Sequence, residues 1–227
     1  MHTIALVTQK GGSGKSTLAI GLAIAAMQNG HKVYLLETDP QGTVSNWRAR
    51  RTLAEPIVET VSGGSEIEQR LPILKLRGVT LTIIDTAGGD GNMTASAIEA
   101  ADLCLIPARP SPADIEAALP TLADVRRLDK PFAFVLNQTP VRGGRLNDAA
   151  TALSDTATSL NLMGVLALPY IVQRNDHQDA LGAGLAVTEY ALNGKSADEM
   201  RELWQWVSKK LAIGSPALEQ PEFRAVG

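Results

Sequence analysis

The sequence has a single cysteine among its 227 residues. No disulfide can close within the chain, and a thiolate-held metal cluster between two subunits has too few ligands. Cys104 lies inside an apolar run and reads as a core residue of a protein kept in a reducing compartment. Charge of one sign is also lacking: the formal net charge is −3. That leaves no bulk electrostatic case for nucleic acid, so binding to a polyanion would need a local basic patch, one that dimerisation could complete. No apolar run approaches the ~18–20 residues of a membrane span. The chain enters its first strand at once, with no room for a signal peptide, which makes a cytoplasmic location the expectation. Internal repeats and low-complexity tracts are absent. Aromatic residues make up only 4%, whereas the apolar share of 44% and the charged share of 20% are those of an ordinary globular chain. The length suits one domain with a sizeable core. We expect that domain over residues 1–213 and a flexible tail over 214–227, where two prolines interrupt a stretch without periodicity.

What is present is a phosphate loop. The apolar run from Thr3 to Val7 leads into Gln9-Lys10-Gly11-Gly12-Ser13-Gly14-Lys15-Ser16-Thr17, and Leu18 to Met27 follows with helical spacing. Glycines let such a loop wrap its N–H groups around phosphates, and the helix start adds a positive dipole end. In that pattern Lys15 reaches the β- and γ-phosphates, Ser16 coordinates Mg2+, and Thr17 touches the α-phosphate. The expected ligand is ATP with Mg2+. Gln9 stands where the strict motif has its first glycine, and a second lysine, Lys10, sits at the loop's start.

Further apolar runs cover Lys32 to Glu37, Pro56 to Thr60, Val79 to Thr86, Leu103 to Pro107, Phe132 to Asn137 and Val165 to Pro169. Helical stretches fall near 44–51, 64–75, 92–100, 112–128, 145–160 and 175–182. Asn29-Gly30 is a helix stop. Continuous Val/Ile/Leu strands alternating with helices predict an α/β fold, a mostly parallel sheet flanked by helices on both faces, with the ligand at the strand C-termini.

Two further acidic strand ends belong with the loop. In Leu35-Leu36-Glu37-Thr38-Asp39-Pro40-Gln41-Gly42, a carboxylate at the end of the second strand can face the γ-phosphate and hold the attacking water. The run Leu81-Thr82-Ile83-Ile84-Asp85-Thr86-Ala87-Gly88-Gly89 has the form of a Walker B strand: Asp85 can hold Mg2+ through water, and the glycines let the backbone approach the γ-phosphate.

The segment Lys10 to Ser16, Lys-Gly-Gly-Ser-Gly-Lys-Ser, resembles the deviant Walker A loop of the ParA/MinD family, and the resemblance covers most of residues 1–190. It implies a P-loop NTPase fold and an ATPase of weak intrinsic activity. It further implies that Lys10 crosses an interface to the nucleotide of the other subunit, so that ATP joins a homodimer. Lys10, Lys15 and Asp39 are then the expected catalytic set. The segment around Asp39 becomes the first switch, with Asp39 also a candidate for a water-mediated metal contact and Glu37 for an outer-sphere one. Lys10, Gly11, Gly12, Ser13, Gly14, Lys15, Ser16 and Thr17 would bind the phosphates. By resemblance, Asn137 faces the adenine and the loop at Pro169 and Tyr170 lies against it. Arg174 to Ala180 with Gly184 to Val187 resembles the family stretch near the nucleotide and dimer face.

Basic residues cluster at Arg48, Arg50 and Arg51, at Arg126, Arg127 and Lys130, and at Arg142 and Arg145. Solvated charge accounts for each cluster alone, while ParA relatives use basic residues of both subunits on nonspecific DNA, and no DNA-binding residue here is assigned. From Ser196, read as an N-cap, a helix runs to Ile213 with Met200, Leu203, Trp204, Val207 and Leu211 on one face. A stripe of this kind is read first as core packing; a membrane anchor is the alternative. The function expected is that of a cytoplasmic, nucleoid-associated ParA-like ATPase. It would position a plasmid, chromosome or other cargo through a ParB-like or other adaptor that stimulates hydrolysis. The alternatives are a membrane-associated MinD-like ATPase and an ATP-dependent synthetase on the same scaffold.

Overall fold

The computed structural model describes residues 1–89, 91–141 and 165–213. Six strands form one parallel sheet: β1 (His2–Leu6), β2 (Val33–Glu37), β3 (Ile57–Thr60), β4 (Leu81–Asp85), β5 (Leu103–Ala108) and β6 (Phe132–Leu136). Their order is β3-β2-β4-β1-β5-β6, and every pairing is parallel. Strand β1 lies inside the sheet, so its C-terminal end is flanked by those of β4 and β5. Doubly wound sheets bind ligands at such a place.

Alternation along each strand explains why both faces must be covered. Ile4, Leu6, Val33, Leu35, Leu81, Ile83, Leu103, Leu105, Ala133 and Val135 enter one apolar cluster. Their neighbours Ala5, Val7, Tyr34, Leu36, Ile84, Cys104, Ile106, Phe132, Phe134 and Leu136 enter the other. Helices α3 (Gly64–Leu76), α4 (Asn92–Ala100) and α5 (Pro112–Arg127) close the second cluster. Helices α1 (Lys15–Gln28) and α2 (Thr43–Arg50) belong to the first, with three later helices labelled here α6 (Asn175–Gly182), α7 (Val187–Tyr190) and α8 (Lys195–Lys210). Cys104 faces the second cluster, and burial pushes its thiol up to about 12, as an inert core thiol requires.

Helix α1 is buried on all sides from Leu18 to Ala26 because α8 covers the side turned away from the sheet. Met200, Leu203, Trp204 and Val207 of α8 are all buried in that cluster, and Leu211 packs against it. Met200 lies so close to Gly21 that a Cβ there would come within 2.6 Å of the methionine methyl carbon. The terminal stripe is therefore core, as periodicity suggested, and it is not available to a membrane. No helix among the described residues is long and apolar enough to span one.

Three expectations need correction. Val165 to Pro169 runs beside β6, where Phe134 N–H donates to the Val165 carbonyl at 2.7 Å and Ala167 N–H to the Phe134 carbonyl at 2.8 Å. It forms only an isolated bridge, Phe134 to Leu166, rather than a strand; Pro169 has no N–H with which to continue the ladder. Ser196 does not cap α8. Gly194 is the N-cap residue, and the buried Ser196 hydroxyl donates to Asp176 at 2.5 Å. The cluster at Arg48, Arg50 and Arg51 is not solvated charge throughout: Arg50 stays exposed while donating to the Leu181 carbonyl at 3.1 Å, and Arg48 is half-buried and donates to the Ala54 carbonyl at 2.7 Å, but Arg51 is buried. The Arg51 side chain, 1% exposed, pairs with Glu189 at 2.7 Å. The helix expected at 145–160, Arg142, Arg145 and the tail at 214–227 lie outside the described residues.

Candidate functional site

The phosphate loop joins β1 to α1. Gly14 is the N-cap of α1 with φ 89°, a left-handed conformation that a side chain resists. A Cβ at Gly14 would also lie 2.2 Å from the Asn137 amide nitrogen, so only glycine fits. Lys15, Ser16 and Thr17 form the first turn, which carries no acidic residue. The helix thus presents an unneutralised positive end and unpaired N–H groups to an anion.

The loop is tied down from several directions. The Asn137 amide donates to the Ser13 carbonyl at 2.8 Å, and the Gln138 amide to the Gly12 carbonyl at 3.0 Å. Gln9 N–H donates to the Thr121 hydroxyl of α5 at 3.3 Å. Gly88 lies against the loop from the other side, since a Cβ there would meet the Gln9 carbonyl oxygen at 3.2 Å. Thr86 holds that segment to β1 through the Leu6 carbonyl at 2.7 Å. Neither Gln138 nor Thr121 carries a motif by which sequence reasoning would find it; Gln138 follows a strand-ending Asn, and it adopts a positive φ of 53°.

Loop and acidic segments enclose a cavity of about 590 Å3 lined by Gly11, Gly12, Gly14, Lys15, Ser16, Thr17, Asp39, Pro40, Gln41, Thr43, Ala87 and Gly88. That is ample for a nucleotide's phosphates. Lys15 is buried and donates to the Thr8 carbonyl at 3.3 Å. Burial lowers its pKa, and Asp85 and Asp39 counter the shift. Asp39 accepts Gln41 N–H at 2.9 Å, which shapes the turn between β2 and α2.

Asp85 is fully buried, and both its carboxylate oxygens lack a hydrogen-bond partner. Burial raises its pKa to about 7, while the neighbouring Ser16 hydroxyl and Lys15 ammonium pull the other way. Buried polar atoms are nearly always paired, so two orphaned oxygens call for something that the chain does not supply. A hydrated divalent cation fits: Mg2+ prefers oxygen ligands, keeps several waters, and takes only one or two protein groups besides substrate phosphates. The described residues contain no cluster of three or more acidic, His or Cys side chains that could hold a metal by themselves.

Glu37 has a different task from the outer-sphere metal role expected of it. Its carboxylate accepts Val44 N–H at 2.7 Å, Ser45 N–H at 3.0 Å and the Ser45 hydroxyl. Both oxygens serve the N-terminus of α2, a favourable place for negative charge.

Lys10 does not line this cavity. Its ammonium pairs at 3.1 Å with Asp114, near the start of α5. Asp114 also accepts Arg109 Nε at 3.2 Å and the Ser111 hydroxyl. Burial pushes Asp114 upward, yet hydrogen bonds from Ser111, Lys10 and Arg109 outweigh it and hold the carboxyl below the usual range.

A second cavity adjoins the loop on the side of β6, lined by Gly14, Thr17, Leu18, Asn137, Gln138, Ile171, Val172, Gln173, Arg174, His177 and Gln178. Asn137 is here as expected, although its amide also accepts Gln138 N–H at 2.9 Å. Pro169 and Tyr170 are not: Tyr170 packs on the second apolar cluster, and the wall is formed by Ile171 to Arg174 and by α6. Val172 N–H and Arg174 are held by Glu199 of α8, at 3.1 and 2.6 Å. His177 Nε2 is buried without a partner, and burial lowers the pKa of its ring.

Residues 4–185 match the family model described as the CobQ/CobB/MinD/ParA nucleotide binding domain. The chain is 33% identical over 216 residues to the maintenance of carboxysome distribution protein A of Gloeobacter kilaueensis, covering 92% of this chain and 94% of that one. Among solved structures, the ATP complex of a Cyanothece McdA variant superposes with a TM-score of 0.73 at 18% identity, covering 97% of this chain and 99% of that one. MinD of Pyrococcus horikoshii complexed with Mg-ADP gives a TM-score of 0.73 at 17% identity, covering 93% and 98%. At those identities the structural likeness is one of fold. With the phosphate loop and the matched domain together, this chain belongs to the CobQ/CobB/MinD/ParA nucleotide-binding domain family, within its ParA/MinD group of P-loop ATPases.

Proposed function

We propose that this protein is a ParA-type positioning ATPase. It binds ATP with Mg2+, dimerises on it, holds nonspecific DNA in that state, and hydrolyses ATP when an adaptor on a plasmid, chromosome or other cargo engages it. Residues 1–213 are its ATPase domain and 214–227 its tail. The observation that carries the reading is the placement of Lys10. A phosphate loop needs one lysine, and Lys15 fills that role inside the cavity; Lys10 stands outside it on Asp114. A cation held at the lip, without access to its own cavity, suits a task on a second subunit.

Chemically, phosphoryl transfer to water needs charge neutralisation and positioning. Lys15 and the first-turn N–H groups would neutralise phosphates. Ser16 and, through water, Asp85 would hold Mg2+, whose contribution is to neutralise charge on the β- and γ-phosphates. Asp39 would orient the attacking water. The Gloeobacter relative's name, which concerns carboxysome distribution, supports cargo positioning. The apolar face of α8, which the membrane-associated alternative would use as its anchor, is buried on α1.

The test is retention on nonspecific duplex DNA with ATP, ADP or no nucleotide, with Asp39→Ala to suppress turnover. Retention that needs ATP and falls steeply with salt is expected. No retention in any state would remove DNA from the proposal while leaving the ATPase.

A further inference from the structure

We propose that Arg109 is a further catalytic residue of this ATPase and that it acts across the subunit interface, on the phosphates held by a second copy of the chain. The inference rests on the ATP-dependent dimer proposed above.

Arg109 follows the last residue of β5, the strand beside β1, and so stands next to the phosphate loop. Its Nε is pinned to Asp114 at 3.2 Å, which fixes the guanidinium plane. One terminal nitrogen lies 3.7 Å from the point where a Cβ on Gly12 would sit. The guanidinium therefore rests on the outer lip of the loop. It is absent from the lining of the chain's own phosphate cavity, and its side chain is 39% exposed. Among the described residues neither terminal nitrogen has a hydrogen-bond acceptor, so both N–H2 groups are available.

Asp114 is a buried carboxylate with two cations on it, Lys10 and Arg109. One cation would neutralise it. The second leaves surplus positive charge on an exposed lip that flanks a phosphate site without entering it. A planar guanidinium anchored through Nε and free at both terminal nitrogens matches two phosphate oxygens at once, which an ammonium cannot do. A second copy facing this lip would bring its phosphates within reach of those nitrogens. In hydrolysis, water oxygen forms the new bond to the γ-phosphorus and the bond to the β–γ bridging oxygen breaks. ADP leaves with that electron pair, and the proton of water passes to the phosphate product. Arg109 exchanges no proton; it neutralises charge on the transferring group and its leaving oxygen.

The decisive experiment is complementation in the full chain. Arg109→Ala and Asp39→Ala are assayed for phosphate release separately and mixed, with dimers followed by light scattering and ADP affinity as the check on folding. Arg109→Ala should bind ADP as the unsubstituted protein does and lose turnover by about tenfold or more, as loss of an arginine acting on the transferring group predicts. Arg109→Lys should recover only part, since the bidentate fork is missing. In a mixed dimer, the subunit carrying Arg109→Ala keeps its own Asp39 and receives Arg109 from its partner. With random pairing of a two-fold dimer, mixing should restore about a quarter of full turnover. Mixed dimers that form and stay inactive would overturn the proposal, because a residue acting in its own subunit or only on structure gives that result. Undiminished turnover in Arg109→Ala would overturn it too. If Asp39→Ala forms no dimer with ATP, the dimer itself falls, and the inference with it.

Discussion

Glu37 and Asp85 are register partners on adjacent strands, yet Glu37 has both carboxylate oxygens engaged by α2 and Asp85 has neither oxygen engaged. Two acids in the same register thus have opposite environments. One closes a helix end within the fold; the other is buried beside Lys15 and Ser16 with its oxygens unpaired. Asp85→Asn removes a buried charge whose desolvation outweighs the attraction of Lys15, and should raise the stability of the nucleotide-free protein by on the order of 1–3 kcal/mol. The same change should abolish the dependence of ATP affinity on Mg2+. Thermal melts and nucleotide titrations with and without the metal read the two effects, and a melting temperature that falls would contradict the environment described here.

For Glu37 the opposite sign is expected. Glu37→Gln leaves an amide whose N–H2 must face helix N–H groups, so α2 loses its anchor. Stability should drop by about 1–3 kcal/mol, the usual cost of an unsatisfied buried group. Since α2 begins directly after the Asp39-Pro40-Gln41-Gly42 turn, kcat should fall more than ADP affinity. Glu37→Asp, one methylene shorter, should not restore both contacts. An α2 that exchanges its amide hydrogens no faster in Glu37→Gln would show that the anchor lies elsewhere.

The loop offers a cleaner separation of fold from ligand. Asn137→Asp places a carboxylate against the Ser13 carbonyl in place of the donated hydrogen bond of 2.8 Å. ATP affinity should fall by about tenfold, or ~1.4 kcal/mol. Gly14→Ala should abolish binding outright, because it combines the left-handed φ with the 2.2 Å approach of Asn137. Lys15→Ala should also lose ATP binding or hydrolysis, through charge alone. Isothermal titration with ATP and ADP orders the three, and wild-type affinity in Gly14→Ala would refute the close approach.

Much of this was legible because β-strands that are buried on both faces, and a loop that must wrap phosphates, leave few residue choices. The runs Lys32 to Glu37, Val79 to Thr86 and Phe132 to Asn137 locate their strands within one or two residues, and the order of loop, first acidic segment and second acidic segment brings them to one cavity. What was not legible depends on long-range packing. Nothing local says that Glu37 turns toward α2 rather than the metal, that Lys10 and Arg109 meet on Asp114, or that Gln138 reaches Gly12. The same holds for the basic residue just past the end of α2. Arg51 reads as surface charge until the fold brings Glu189, 138 residues away, against it. The residues around the second cavity depend on packing in a comparable way. Tyr170 packs on the second apolar cluster, and the cavity wall is formed by Ile171 to Arg174 and by α6, whose start lies in the stretch from Arg174 to Ala180 that the resemblance places near the nucleotide.

Helix α8 tests the choice between core and membrane. Trp204 is buried, its ring edge-on to His31 at a centroid distance of 5.3 Å, and it fills the space beside α1. Trp204→Ala should cost ~3–5 kcal/mol, the usual range for emptying such a site. Removing 196–227 should leave the buried length of α1 exposed and the protein insoluble. Flotation with anionic vesicles in the presence of ATP should find the intact protein unbound. Binding to vesicles that vanishes in Trp204→Ala while the fold persists would return the membrane reading to favour.

Two buried nitrogens on residues lining the cavity beside Asn137 have no hydrogen-bond partner among the described residues, Arg174 Nε and His177 Nε2, and only the second can also accept. Burial lowers the ring's pKa, so at neutral pH the imidazole is uncharged and carries one donor and one acceptor nitrogen. A buried polar atom that finds its partner only in the ligand gives discrimination, because a base with the wrong donor pattern leaves it unpaired. His177→Leu keeps much of the side-chain volume and removes both nitrogens. It should weaken ATP by about tenfold, or ~1.4 kcal/mol, and narrow the preference for ATP over GTP. With the phosphates assigned to the loop and His177 to the base, inorganic triphosphate should bind equally well to both proteins. Competition titrations with ATP, GTP and triphosphate measure the three quantities side by side. An equal loss for all three ligands would mean that His177 supports the loop and does not read the base; no loss for any would mean that the base lies elsewhere.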